Sequence, residues 1–178
     1  WKNRIPWLML LMISATLTGL VITSFEDALG VLPCLTAFIP MLMDTGGNSG
    51  SQACVSIIRG ISLNEIEFRD LGRVVWKEIR VSVLCGVCLA VACFAKIIVI
   101  DMLLLKSESV TYLIAFVVCA TMAVTVCLAK IVGSTLPLLA KKLGFDPAVM
   151  ASPIITTIVD FLSLLVYFAF ATAMLGIG

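Results

Sequence analysis

Residues 44–52 read Asp-Thr-Gly-Gly-Asn-Ser-Gly-Ser-Gln, a polar and glycine-rich run inside a segment that otherwise suits lipid. The residues on both sides of it, 31–43 and 53–58, are mostly apolar. Carboxylate, amide and hydroxyl groups at membrane depth are costly unless they face water, protein or an ion. The run therefore predicts a polar pathway through a bilayer.

The composition places the whole chain in a membrane. Hydrophobic residues make up 61% of its 178 residues, charged residues 13%, and the mean hydropathy is +1.17. A soluble domain is typically about half apolar and a quarter charged. We therefore predict an all-α integral membrane protein, and the net charge of +1 gives no reason to expect nucleic acid as a partner.

The length leaves room for about five spans of roughly 20 residues each in one transmembrane domain, 1–178. The second predicted span is longer than one crossing needs, so we expect it either to tilt beyond the membrane or to break near its glycines. Gly133 and Pro137 predict a kink or a broken end after the fourth span. Asp146 and Pro147 are typical of a helix cap and a first helical residue. The predicted spans are about 7–24, 28–59, 81–101, 110–131 and 147–175.

Basic residues are distributed unevenly among the predicted connections. The loop after the second span carries five of them, three (including Lys130) lie around the loop after the fourth span, and two precede the first. The remaining two connections carry only Lys106. The positive-inside rule then predicts a multi-pass protein of the cell membrane, with a cytoplasmic N-terminus and an extracellular or periplasmic C-terminus. Because the first residue is Trp1, we expect the chain to be a piece of a longer protein.

Two carboxylates are predicted near the middle of the membrane. At about 1.5 Å per helical residue, Asp160 lies roughly 20 Å from the start of its helix at Pro147. Asp44, counted from Val31, lies at a similar depth. Asp160 has no basic residue within a helical turn or two. These carboxylates therefore need a cation or water beside them.

Polar residues on the same two spans repeat every four positions and so share a helix face. Gly46 and Gly50 form a G-x-x-x-G on an adjacent face, which lets another helix backbone come close. We expect Thr45, Gln52 and Ser152 to line the pathway. The two repeating sets are Asp44, Asn48 and Gln52 on the second span, and Ser152, Thr156 and Asp160 on the fifth.

All candidate ligands are oxygen atoms, which favour hard cations. The chain contains no histidine, and its one C-x-x-C pair, Cys85 and Cys88, lies in an apolar segment. A sparse set with one or two carboxylates suits Mg²⁺, because Mg²⁺ keeps much of its water; Ca²⁺, Mn²⁺ and Na⁺ remain open on chemistry alone. The absence of histidine from the sequence argues against an enzyme.

The motifs resemble a known family. Residues 40–53, Pro-Met-Leu-Met-Asp-Thr-Gly-Gly-Asn-Ser-Gly-Ser-Gln-Ala, followed by Arg59-Gly60, are similar to the signature of the MgtE-type magnesium transporters. Residues 136–160 resemble the last two spans of that family through Leu-Pro-Leu-Leu, Leu-Gly-Phe-Asp-Pro-Ala, Ser-Pro and Thr-Thr-Ile-Val-Asp. The resemblance covers essentially the whole chain.

The resemblance implies a homodimer with five transmembrane helices per subunit and a central pore lined by the second and fifth helices. It implies that Asp160 holds a largely hydrated Mg²⁺, the transported ion, with Gly47, Asn48 and Thr156 at or near it. Ser152 stands where some relatives carry Asn. The resemblance also implies a cytoplasmic regulatory region, which we expect to be missing from this chain.

We therefore predict Mg²⁺ transport through a dimeric pore in a lipid membrane, with Asp160, Asn48, Gly47, Thr156 and Asp44 as the metal-site residues. One alternative is an exchanger that couples divalent cation efflux to Na⁺ or H⁺ entry, with Asp44 as its second ion site. The other is a membrane scaffold that transports nothing, which leaves Asp160 unexplained.

Overall fold

The structure is a computed structural model that describes residues 5–176, apart from the side chains of residue 7 and residues 149–152. Within those residues the chain forms helices and short connections and contains no strand. Six α-helices are joined by two 3-10 segments, Pro33–Phe38 and Phe68–Asp70, and by one π-helical segment, Ile97–Leu104. The α-helices are α1 (Ile5–Ser24), α2 (Glu26–Val31), α3 (Ile39–Ser62), α4 (Leu71–Lys96), α5 (Tyr112–Lys142) and α6 (Pro147–Leu175).

Among the described residues, three helical segments are long and apolar enough to cross a membrane: Phe68–Leu104, Tyr112–Lys142 and Pro153–Leu175. A shorter apolar helix covers Leu8–Ser24. Large apolar side chains on α1 and α4, such as Met12 and Leu84, are exposed, as expected of helix faces that contact acyl chains. The all-helical architecture and these segments agree with the predicted membrane class.

The second predicted span is not one helix. The chain leaves α2 at Leu32, which has φ −129° and ψ 77°, and it enters the 3-10 segment at Pro33. The residue before a proline is pushed toward extended backbone, and proline has no N–H to continue a helix. The expected break near the glycines was wrong, because α3 runs unbroken through residues 46–50.

The broken end predicted after the fourth span was also wrong. Helix α5 continues through Gly133 and Pro137 to Lys142. Lys130, assigned from the sequence to the region around a loop, lies inside this helix and is 6% exposed. The predicted start of the last helix is confirmed, because the Asp146 carboxylate accepts a hydrogen bond from the backbone N–H of Ala148 at 2.9 Å.

Helix α5 lies at the centre of the molecule and packs against α3, α4 and α6, while α3 also packs against α6. Glycines make the close approaches possible. A Cβ at Gly133 would overlap the backbone carbonyl of Gly50, and a Cβ at Gly46 would lie 2.7 Å from Thr125 Cγ2. The G-x-x-x-G on α3 therefore serves helix packing, as predicted, and it fixes which face of α3 remains for other groups.

Candidate metal site

The polar side chains of α3 lie on the face that points away from the packed glycines. Gly46, Gly47 and Gly50 are buried, whereas Asp44 and Asn48 are exposed. The Asn48 side-chain amide donates a hydrogen bond to the Asp44 carboxylate at 3.0 Å. This hydrogen bond holds the two side chains together across one helical turn. It uses one carboxylate oxygen of Asp44, and the other carboxylate oxygen takes no part in it.

Helix α6 brings a second carboxylate to this face. Asp160 is half-buried and lies opposite Gly47. A Cβ built on Gly47 would come within 3.2 Å of Thr156 Cγ2 and 3.9 Å of Asp160 Oδ1. Glycine at this position therefore lets α3 and α6 approach closely, and it keeps the space beside the two polar side chains open.

These side chains line one cavity of about 460 Å³ between α3 and α6, which we call the Asp160 cavity. Its polar groups are oxygens and one amide, the donor set that hard cations prefer. The Thr156 hydroxyl donates to the carbonyl of Pro153 at 2.9 Å, so its own lone pairs stay available to water or an ion. The lining residues are Ile39, Pro40, Met43, Asp44, Gly47, Asn48, Thr156 and Asp160.

The carboxylates are sparse. Across the described part of the chain, no group of three or more His, Cys, Asp or Glu side chains is placed to hold a metal ion. One chain therefore offers a cation two carboxylates, an amide and a hydroxyl rather than a closed ligand cage. That arrangement suits an ion that retains its own water molecules.

All five residues predicted for the metal site, Asp160, Asn48, Gly47, Thr156 and Asp44, line this cavity. The residues predicted to line the pathway are not among the described lining residues of this cavity. Thr45 and Gln52 line a neighbouring cavity of about 400 Å³, and the side chain of Ser152 lies outside the described residues.

The neighbouring cavity lies between α3, α4 and α5, and we call it the Lys130 cavity. Asp44 and Asn48 line both cavities, so this pair forms the wall between them. The other lining residues are Thr45, Ser49, Gln52, Cys85, Cys88, Leu89 and Lys130. Sequence reasoning did not include Lys130 among the site residues. A single lysine inside the long apolar run 112–140 does indicate a functional site, because a charged side chain at membrane depth is costly.

Sequence reasoning also missed Tyr167. Its side chain is fully buried, and its hydroxyl donates a hydrogen bond to the carbonyl of Leu35 at 2.9 Å. The next residue, Phe168, stacks on Phe25 with ring centroids 4.5 Å apart. Helix α6 thus fixes the 3-10 segment that leads into α3, and so positions the start of the helix that carries Asp44.

The fold and this cavity define a class: an α-helical membrane protein in which carboxylate and amide oxygens meet between helices. Comparison with known proteins gives the family. Residues 39–170 match the MgtE family of divalent cation transporters, and the chain belongs to that family. The family is one of transporters, in agreement with the prediction that the chain is not an enzyme.

Three curated relatives are similar over nearly the whole chain, and each is called magnesium transporter MgtE. The protein from Bacillus subtilis is 35% identical over 97% of the chain, and the protein from Thermus thermophilus is 32% identical over 98%. The protein from Enterococcus faecalis is 30% identical over 96%. The chain spans 36–37% of the length of these relatives.

Proposed function

We propose that two copies of this chain form a pore for Mg²⁺, with α3 and α6 of both copies lining it and the two Asp160 carboxylates holding a largely hydrated ion. Family membership supports cation transport, and the similar proteins named as magnesium transporters support the choice of ion. The observation that carries the proposal is the Asp160 cavity, where polar groups from α3 and α6 meet beside a half-buried carboxylate.

The polar groups that a single chain leaves uncovered support the proposed dimer. Asp44, Asn48 and Gln52 are exposed along one face of α3, at a predicted depth near the middle of the membrane. A charged or amide side chain facing acyl chains costs several kcal/mol, so such groups face protein or a water-filled cavity. A second copy of the chain, placed with its own polar face opposite, covers these groups and leaves a wet passage between the copies.

The cavity is large enough for a hydrated ion. A water molecule occupies about 30 Å³ in the liquid, so six waters take about 180 Å³. The Asp160 cavity of one copy, about 460 Å³, accommodates that shell. Because Mg²⁺ gives up its water reluctantly, carboxylate, amide and hydroxyl groups that bond to the shell provide binding without the cost of dehydration.

The direction of transport follows from the charge of the ion and the membrane potential. An inside-negative potential favours entry of a cation by about 2.3 kcal/mol per charge for each 100 mV. A divalent ion therefore enters down its electrochemical gradient once the pore is open, without another source of energy.

The test is Mg²⁺ flux into proteoliposomes that contain the purified chain. We expect Asp160→Asn, which keeps the shape but removes the charge, to lower flux by about tenfold or more, since each 1.4 kcal/mol of lost attraction is a factor of ten. Asp27→Asn is the matched control, because Asp27 is exposed and far from both cavities along the chain. Equal flux in Asp160→Asn and wild type contradicts the proposal.

The same vesicles separate a channel from an exchanger. We expect Mg²⁺ flux to continue with equal Na⁺ and equal pH on both sides. Flux that stops without a Na⁺ or pH gradient instead supports the coupled exchanger, with Asp44 as the second ion site.

A further inference from the structure

Lys130 is the feature that the proposed function does not use. It is 6% exposed on the central helix α5, yet its side chain reaches the wall of the Lys130 cavity. Among the described residues, ion pairs within 4.0 Å join Arg69 to Glu67 and Lys96 to Asp101, and none involves Lys130. A buried ammonium is expensive in a membrane and marks a functional site by default.

The acidic group that shares the cavity with Lys130 is Asp44. Asp44 also lines the Asp160 cavity on the other side of the wall. The three charged groups therefore follow one another across the two cavities in the order Asp160, Asp44, Lys130. Lys130 is buried and Asp160 is half-buried, and such charges are screened less than fully exposed ones, so a charge in one cavity acts on an ion in the other.

We propose that Lys130 is a fixed positive charge that sets the affinity and the release rate of the divalent cation in the Asp160 cavity; this inference rests on the proposed function. When all three groups are ionised, each chain contributes two carboxylates and one ammonium, a net charge of minus one. Two chains then balance one divalent cation. Without Lys130 the same site carries twice that negative charge and retains the ion.

Release matters because a pore conducts only when its ion leaves as readily as it enters. A site with excess negative charge binds the cation more tightly and empties more slowly. Lys130 keeps the site weak enough for conduction while the carboxylates keep it selective for a doubly charged ion. It is a positioning residue in this scheme, since it acts on the ion through the field and through Asp44 rather than by contact.

The test compares charge with shape at position 130. In Lys130→Met the positive charge is lost and the apolar stem is kept, and we expect a Kd for Mg²⁺ roughly tenfold lower, measured by titration calorimetry. Maximal Mg²⁺ flux in proteoliposomes is expected to fall at the same time. Lys130→Arg, which keeps the charge, is expected to retain the wild-type Kd and flux. Lys141→Met, which removes an exposed charge from the same helix, is the matched control.

A double variant of Asp44 and Lys130 tests whether charge alone explains the change in the Kd for Mg²⁺. A merely structural role of Lys130 would not predict that the two changes compensate each other. Asp44→Asn alone is expected to raise the Kd for Mg²⁺, and the double variant Asp44→Asn with Lys130→Met is expected to return the Kd toward the wild-type value. Should Lys130→Met not give a monodisperse protein, Lys130→Gln provides the neutral variant.

Two results overturn the inference. One is an unchanged Kd in the neutral variant of a wild-type protein that does transport Mg²⁺, which leaves the proposed function intact. The other is the same change of Kd in Lys130→Arg as in Lys130→Met, which assigns the effect to shape. Absence of Mg²⁺ flux and binding in the wild type is a different result, because it contradicts the proposed function itself.

Discussion

Gly47 shows how one missing side chain shapes the candidate site. It is buried between α3 and α6 and lies beside both Thr156 and Asp160. Any side chain at this position occupies space that the Asp160 cavity otherwise provides to an ion and its water. The glycine therefore contributes through the room it leaves, whereas its neighbour Asn48 contributes through a hydrogen bond to Asp44.

A methyl group at this position tests that role. In Gly47→Ala the new Cβ lies 3.2 Å from Thr156 Cγ2, so Thr156 must shift and the cavity narrows. We expect Mg²⁺ flux in proteoliposomes to fall severalfold, while the helix propensity of Ala offsets part of the packing strain. Gly19→Ala is the matched control, because a Cβ there meets nothing within 4 Å. Flux that stays at the wild-type level in Gly47→Ala shows that the ion does not depend on this space.

Different helices provide the packing core and the polar side chains of this molecule. Helix α5 is the central packing element, and α3 is the least apolar of the long helices because it carries the polar run. Helix α3 is not among the segments that are apolar enough over their length to cross a membrane, whereas α4, α5 and α6 each contribute to one. A helix of that kind is stable at membrane depth only when protein or water covers its polar face. The helices beside α3 therefore determine what its polar face contacts.

A buried hydrogen bond from α6 holds the 3-10 segment before α3. The hydroxyl of Tyr167 donates to the carbonyl of Leu35, and both side chains are fully buried. We expect Tyr167→Phe to lower the free energy of unfolding by about 1–2 kcal/mol, because a buried carbonyl loses its donor. Tyr112→Phe is the matched control, since Tyr112 is 70% exposed. Thermal unfolding in detergent measures both, and an equal stability of the two variants contradicts an anchoring role.

The element pattern explains which predictions succeeded. The four-residue spacing of Asp44 and Asn48 predicted that they share a helix face, and in the structure the Asn48 amide donates a hydrogen bond to the Asp44 carboxylate. The cap at Asp146 was also readable, because a cap depends on adjacent residues. The break at Leu32 was missed although Pro33 signals it, since the apolar residues on both sides favoured one long helix.

Other features depend on neighbours that sequence spacing does not specify. Thr45 and Gln52 are on the polar side of α3 but line the Lys130 cavity, because α4 and α5 lie there. Lys130 lies within the predicted span 110–131 but was counted with the basic residues around the loop that follows, and the packing of α5 against its neighbours buries it. Periodicity predicts which residues share a helix face, whereas tertiary packing decides what that face meets.

At the scale of the whole molecule, the described helices leave the polar face of α3 open. Asn48 is exposed on this face, although it lines both cavities. In the proposed dimer the same residue from each copy faces the shared passage, since a two-fold axis brings identical surface patches together. In that arrangement we expect an exposed apolar position such as Met12 on α1 to face lipid instead.

Cross-linking distinguishes these two environments. In a background without the seven native cysteines, we expect Asn48→Cys to form a covalent dimer with a flexible bis-maleimide. Met12→Cys, the control on the outer surface of α1, is expected to form no covalent dimer under the same conditions in liposomes. Millimolar Mg²⁺ is expected to slow the reaction at position 48, because an ion and its water shell occupy the passage that the reagent must enter. Efficient cross-linking at position 12 with none at position 48 places the contact between copies on α1, and it leaves the polar face of α3 without the partner that the proposed pore requires.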